Sequence, residues 1–126
     1  MIKYGPCTGW AYSICILMNW IQLTNLDQLQ EIKAATGYSA IFKHSTRCSI
    51  SMMARKRFEF DWTAIPEGIP LYFLDLIAHR EISNTIAEIF EVRHESPQLL
   101  LIKDGECIYE TSHGEISAEE LAEQIN

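Results

Sequence analysis

The sequence predicts an α/β protein with a central mixed β-sheet flanked by helices on both faces. Three observations carry this expectation. Short apolar runs alternate three times with segments of helical period, the pattern of strand–helix–strand units. Leu71–Leu76 is a nearly continuous apolar run, as in a strand covered on both sides. Asp104–Gly105 separates two strand-like runs as a hairpin turn, and one last helical segment follows.

Trp20–Leu23 reads as a short first strand. Thr24 caps the helix after it, with Asp27 standing where a capping box places Glu. Leu26, Leu29, Ile32 and Lys33 continue at helical spacing, and Gly37 supplies the stop. Ser39–Lys43 is the second strand, and a polar loop holding Cys48 follows it. A helix over Ser49–Phe60 comes next, with Ile50, Ala54 and Phe58 expected on its core face. Pro66, Gly68 and Pro70 mark a loop before the third strand. Asn84–Phe90 has helical spacing at Ile86, Ile89 and Phe90. Leu99–Ile102 and Cys107–Tyr109 form the hairpin. Gly114 breaks the chain, and Ser117–Glu120 is a capping box opening a helix that buries Leu121 and Ile125. The order is βαβαβαββα, with parallel neighbours joined through helices by right-handed crossovers.

A chain of 126 residues, 48% apolar, suffices for one domain with a real core. The net charge of −7 disfavours nucleic acid as a partner. Yet Lys43, Arg47, Arg55, Lys56 and Arg57 are five of the ten Lys and Arg residues, and no Asp or Glu falls between Lys33 and Phe58. This stretch reads either as a solvated basic helix face or as an anion-attracting site beside Cys48.

The first seventeen residues, which contain no acid and one base, differ in character from the rest. The apolar stretch from Trp10 to Met18 is too short to span a bilayer, and no small-x-small cleavage site follows it. Residues 1–17 are therefore expected to be an extension outside the fold, with the domain running over 18–126 and Met18 as the natural start. No membrane partner is expected.

Cys7, Cys15, Cys48 and Cys107 form no close pair, which argues against a zinc ribbon or a compact disulfide framework and fits free thiols in a reducing cytoplasm. Cys48 follows a strand and opens a helix. Such a helix end offers unpaired N–H groups and a partial positive charge, both of which suit a thiolate, the nucleophile of thiol–disulfide exchange. Cys48-Ser49-Ile50-Ser51 is a C-x-x-S motif whose two hydroxyls are candidate donors to the sulfur. Serine cannot resolve a mixed disulfide, so such a thiol depends on an external one for release. The opposing reading is an ordinary small residue in a turn. By pattern alone, Pro97 is a proline that opens a strand.

The segment Phe42-Lys43-His44-Ser45-Thr46-Arg47-Cys48, with Ile50-Ser51 and the later His94-Glu95-Ser96-Pro97-Gln98, closely resembles the YtxJ family, the monothiol bacilliredoxins of the bacillithiol system. The resemblance runs from about Met18 to the C-terminus. It implies a thioredoxin-like fold, a cis-Pro97 facing Cys48, and an enzyme that removes bacillithiol, or a similar low-molecular-weight thiol, from protein mixed disulfides. Cys48 would be the catalytic nucleophile and the small thiol a co-substrate, with no tightly bound cofactor; S-thiolated cytoplasmic proteins would be the partners. Arg47 is the expected anion contact, Thr46, Ser49 and Ser51 the polar lining, and the Ser96 backbone beside Pro97 the surface that aligns the disulfide. Where many members have proline after the cysteine, this chain has Ser49, which keeps an N–H for the sulfur.

His44 and Cys48 alone do not make a metal site, and no third ligand is evident. Cys107 reads as a buried, inert thiol. Met52 and Met53 read as helix packing or as a rim for partner proteins. His79, His94 and His113 form no triad with Cys48. Two other functions compete with the reductase: a thioredoxin-like module that docks partners without redox turnover, and an arsenate-reductase-like thiol enzyme.

Overall fold

The computed structural model describes residues 19–125, and the expectations for residues 1–17 lie outside them. Eleven short elements follow one another: β1 (Ile21–Gln22), α1 (Leu26–Ala34), β2 (Tyr38–His44), α2 (Ser49–Phe60), a 3-10 turn, β3 (Leu71–Asp75), α3 (Arg80–Ile89), β4 (Gln98–Lys103), β5 (Glu106–Ser112), a second 3-10 turn and α4 (Ala118–Glu123). The strands make one sheet in the order β1-β3-β2-β4-β5. β1, β3 and β2 are parallel, whereas β4 runs antiparallel to β2 and β5 antiparallel to β4.

Side-chain alternation sends successive strand residues to opposite faces. Ala40, Phe42, Leu71, Phe73, Leu99 and Leu101 join one core with Ala54 and Phe58 of α2 and Leu121 of α4. Ile41, Leu74, Leu100 and Ile102 join the other with Leu29 and Ile32 of α1 and Ile82 and Ile86 of α3. The α/β class with a mixed sheet covered on both faces is thus observed. Trp20 closes one end of the first core, its ring 5.5 Å from Phe58 and 5.3 Å from Phe73.

Three local expectations are corrected. The cap of α1 is Asn25 rather than Thr24, and its box partner is Gln28 rather than Asp27. The Asn25 side chain accepts from Gln28 N–H at 3.0 Å, and the Gln28 amide oxygen accepts from Asn25 N–H. On α2, Ile50 is 55% exposed, and Ser51 takes the inward position with Ala54 and Phe58. The true inward spacing is i, i+3, i+7, so the first turn projects Ile50 to solvent. Helix α3 starts at Arg80, four residues before Asn84, because Ile82 belongs to its buried face.

Candidate active site

The site grows from the end of β2, the strand in the middle of the sheet. Phe42 pairs with Phe73 and Leu99, Lys43 with Leu74 and Gln98, and His44 with Asp75. Beyond the last pair the chain leaves the sheet and turns into α2. The turn is closed by Cys48 N–H donating to Ser45 C=O at 3.2 Å, and the helix starts with Met52 N–H donating to Cys48 C=O at 3.1 Å. Cys48 is therefore the N-cap of α2, with extended backbone (φ −114°, ψ 121°) and no capping hydrogen bond from its side chain. The N–H groups of Ser49, Ile50 and Ser51 precede that first helical bond and belong to the open donors of a helix start. The thiol is half-buried and free. Thr46, Arg47 and Ser49 are exposed around it.

Ser51 is fully buried, and its hydroxyl serves the loop. It accepts from Ser45 N–H at 3.0 Å and lies 2.7 Å from His44 Nδ1. Its partners are thus Ser45 and His44, where the sequence suggested the Cys48 sulfur. Burial, and then the Arg55 guanidinium, hold the His44 pKa below its ordinary value.

Ser96–Pro97 is a cis peptide bond. Gln98 pairs with Lys43, so one more step of the same antiparallel register sets Pro97 beside His44, at the sheet end from which the Cys48 loop departs. The segment before it is held from beneath by Lys43, which sequence reasoning counted only as part of a basic cluster. Lys43 is wholly buried, and its ammonium lies 2.8 Å from His94 Nδ1 and donates to Gln98 Oε1 at 3.1 Å. Burial lowers its pKa to about 8 against the opposing pull of Glu95. The Gln98 amide donates in turn to Arg93 C=O at 2.9 Å and to Glu110 Oε1 at 3.0 Å. The available signal was a lysine inside an otherwise apolar strand, which demands a buried partner.

The basic cluster is otherwise divided. Arg55 donates to Glu59 at 3.0 Å and stacks over Phe73, its guanidinium carbon 4.4 Å from the ring centroid. Arg57 donates to Gly114 C=O. Arg47 and Lys56 remain exposed.

Cys107 is remote from this site. Its register partner Ile102 pairs with Ser39, near the other end of β2, roughly 17 Å back along the strand at about 3.3 Å per residue. Burial raises its pKa, and its thiol donates to Tyr109 C=O at 3.4 Å. Among the described residues no three His, Cys, Asp or Glu side chains gather as a metal site, and no helix is long and apolar enough to cross a membrane.

A family model described as monothiol bacilliredoxin BrxC matches residues 21–121, nearly the whole sheet and its helices. The chain belongs to the monothiol bacilliredoxin family. Its structure is similar to that of a candidate oxidoreductase with a thioredoxin fold, at 31% identity and a TM-score of 0.72, over 82% of this chain and 90% of that one. A chain from work on thiol resolution in yeast mitochondrial 1-Cys peroxiredoxin, via the glutathione and thioredoxin systems, has 23% identity and a TM-score of 0.65, over 85% of this chain and 96% of that one. Mitochondrial thioredoxin 3 from Saccharomyces cerevisiae, in its oxidised form, has 23% identity and a TM-score of 0.61, over 84% and 92%. The last two share the fold. Family and fold together make this bacilliredoxin a thioredoxin-fold protein of the thiol–disulfide redox class.

Proposed function

We propose that the protein is a cytoplasmic monothiol reductase that strips bacillithiol, or a similar small thiol, from protein mixed disulfides through Cys48. The observation that carries this reading is a half-buried free thiol at the N-cap of α2, with open helix N–H groups beside it, at the sheet end where Ser96–cis-Pro97 lies. In the first step the Cys48 thiolate attacks the small-thiol sulfur of the mixed disulfide. The protein–small-thiol S–S bond breaks, a Cys48–small-thiol S–S bond forms, and the client thiolate leaves and takes up a proton. In the second step another small-thiol thiolate attacks the adduct at the small-thiol sulfur. It releases the Cys48 thiolate and a symmetric small-thiol disulfide. One small thiol is consumed for each client thiol freed, the other half of the symmetric disulfide coming from the client's own adduct, and no metal or bound cofactor is required.

Helix α2 would stabilise the thiolate through the dipole and the N–H groups of its first turn. Ser49 adds a hydroxyl and retains an N–H there. Arg47 and Thr46, exposed before Cys48, would meet the incoming small thiol. The Ser96 main chain beside Pro97 would align the substrate's disulfide as an extended segment, and Ser51 would act through the loop it ties down. Exposed Ile50, Met52 and Met53 give a protein client an apolar surface next to the thiol.

Intact mass spectrometry tests this reading. The protein is mixed with a bacillithiolated client, alongside Cys48→Ala. Movement of the adduct mass to Cys48, absent in the variant, is the expected outcome. A folded protein that takes no adduct from any small-thiol mixed disulfide would instead be a docking module without redox turnover.

A further inference from the structure

A hollow of about 330 Å³ lies between the end of β2 and the side of α2, lined by His44, Thr46, Met52, Arg55, Lys56 and Glu59. It opens beside Thr46, two residues before Cys48. Its polar groups are not balanced. Glu59 is its only carboxylate, and Oε2 of that group already accepts from Arg55 Nε at 3.0 Å and from Trp20 Nε1 at 2.6 Å. Arg55 spends one of its five N–H donors on that bond. Lys56 is exposed and makes no ion pair among the described residues.

His44 lines the hollow as well; its Nδ1 lies 2.7 Å from the buried Ser51 hydroxyl, and burial, then the Arg55 guanidinium, hold its pKa below the ordinary value.

Arg55, Lys56 and Thr46 thus line a space whose one carboxylate is engaged, two residues along the chain from the thiol. We propose that this hollow binds a carboxylate of the small thiol exchanged at Cys48, with Arg55 and Lys56 carrying the charge and His44 and Thr46 fixing the orientation. The assignment rests on the reading of Cys48 as an exchanging thiol, and it moves the main anion contact from Arg47 to α2.

The test compares three symmetric disulfides of simple chemistry: dithiodiglycolate with carboxylates, bis(2-hydroxyethyl) disulfide without charge, and cystamine with ammonium groups. Each reaction breaks one S–S bond, forms one at Cys48 and releases one thiol, so no other oxidant is needed. Rates at Cys48 are read by mass spectrometry with peptide mapping and divided by those of an unstructured cysteine peptide. The expected order is dithiodiglycolate, then the neutral disulfide, then cystamine, with a carboxylate preference of about tenfold, equivalent to about 1.4 kcal/mol. Lys56→Gln, at an exposed site, and Arg55→Gln should each reduce the preference. Arg55→Lys should keep most of it, and Lys103→Gln, at the opposite end of the sheet, should leave it unchanged. Equal normalised rates at a Cys48 still faster than the peptide would overturn the subsite and leave the exchange reading standing. The same holds if the preference survives the Arg55→Gln/Lys56→Gln double variant or is lost only in Arg47→Gln. A Cys48 no faster than the peptide with any disulfide would overturn both.

Discussion

Lys43 and His44 are neighbours in sequence, both polar and both buried, yet they lie on opposite faces of β2. Lys43 points into the face covered by α1 and α3, where His94 and Gln98 close over its ammonium. His44 points into the other face, its ring 5.2 Å from Phe73 and its Nδ1 2.7 Å from the Ser51 hydroxyl, and it lines the hollow beside α2. The closed network fixes backbone, because Gln98 links Lys43 to the segment from Arg93 to Pro97. The other borders a hollow that a ligand can enter. Equal burial has two uses here, and what each side chain borders distinguishes them.

The largest effect is expected on the closed side. Gln98→Leu removes an acceptor from Lys43 and Glu95 N–H and a donor from Arg93 C=O and Glu110. The loss should be about 2–4 kcal/mol in urea denaturation, since several buried groups lose partners together. A loss below about 1 kcal/mol would mean that the segment before Pro97 is held by something else.

Next comes the pH dependence of the same side. The pKa of Lys43 is depressed on folding, from 10.5 to about 8. Between those values the unfolded chain binds more protons than the folded one, so stability rises with pH. The gain is fully present above 10.5 and is lost as pH falls through about 8. The stability of the wild type minus that of Lys43→Met should climb by on the order of 3 kcal/mol across this window. A flat difference would mean that Lys43 keeps an ordinary pKa in the folded protein.

On the open side, Ser51→Ala should cost about 1–2 kcal/mol in thermal or urea unfolding, because Ser45 N–H and His44 Nδ1 both lose their partner. It should also release the His44 tautomer, visible in the ring nitrogen shifts by NMR. Unchanged nitrogen shifts would show that Ser51 does not set the ring's proton.

The smallest effects separate the two sides. His44 and His94 both titrate below the ordinary histidine value, chiefly through burial, with Arg55 adding to the first and Lys43 to the second. Arg55→Gln should raise the His44 pKa and leave that of His94, and Lys43→Met should do the reverse. NMR titration that moved both histidines in either variant would show that the two faces communicate through the sheet.

Much of this frame was legible in the sequence. The strand–cysteine–helix pattern located Cys48, and the bounds Ser49–Phe60 of α2 follow from the polar loop before it and the residues after Phe60. The Asp104–Gly105 turn announced the hairpin, with Asp104 and Gly105 both at positive φ. The networks were less legible because they depend on pairing across the sheet. Lys43 meets His94 and Gln98 only once β4 lies antiparallel to β2 in one particular register. The His44–Ser51 bond spans seven residues that a helical wheel assigns to separate elements, and expecting Ile50 inward hid the role of Ser51. The choice of Asn25 over Thr24 as a cap turned on a single residue between two good capping side chains.

The position of β2 in the middle of the sheet has a consequence for the proteins that meet Cys48. A loop on an edge strand can yield, since its strand can peel away. This loop hangs from a strand bonded on both sides, and even the carbonyl of its last residue accepts from Leu76 N–H at 2.9 Å. Backbone amides there should be among the slowest in the molecule to exchange with deuterium, because opening them requires the whole sheet to open. Under the exchange proposed for Cys48, the strand that carries the thiol loop would not adapt to a visitor, and the adjustment would fall on the visiting chain. Clients whose oxidised cysteine lies on a pliant segment would then be favoured over those whose cysteine is set in rigid structure.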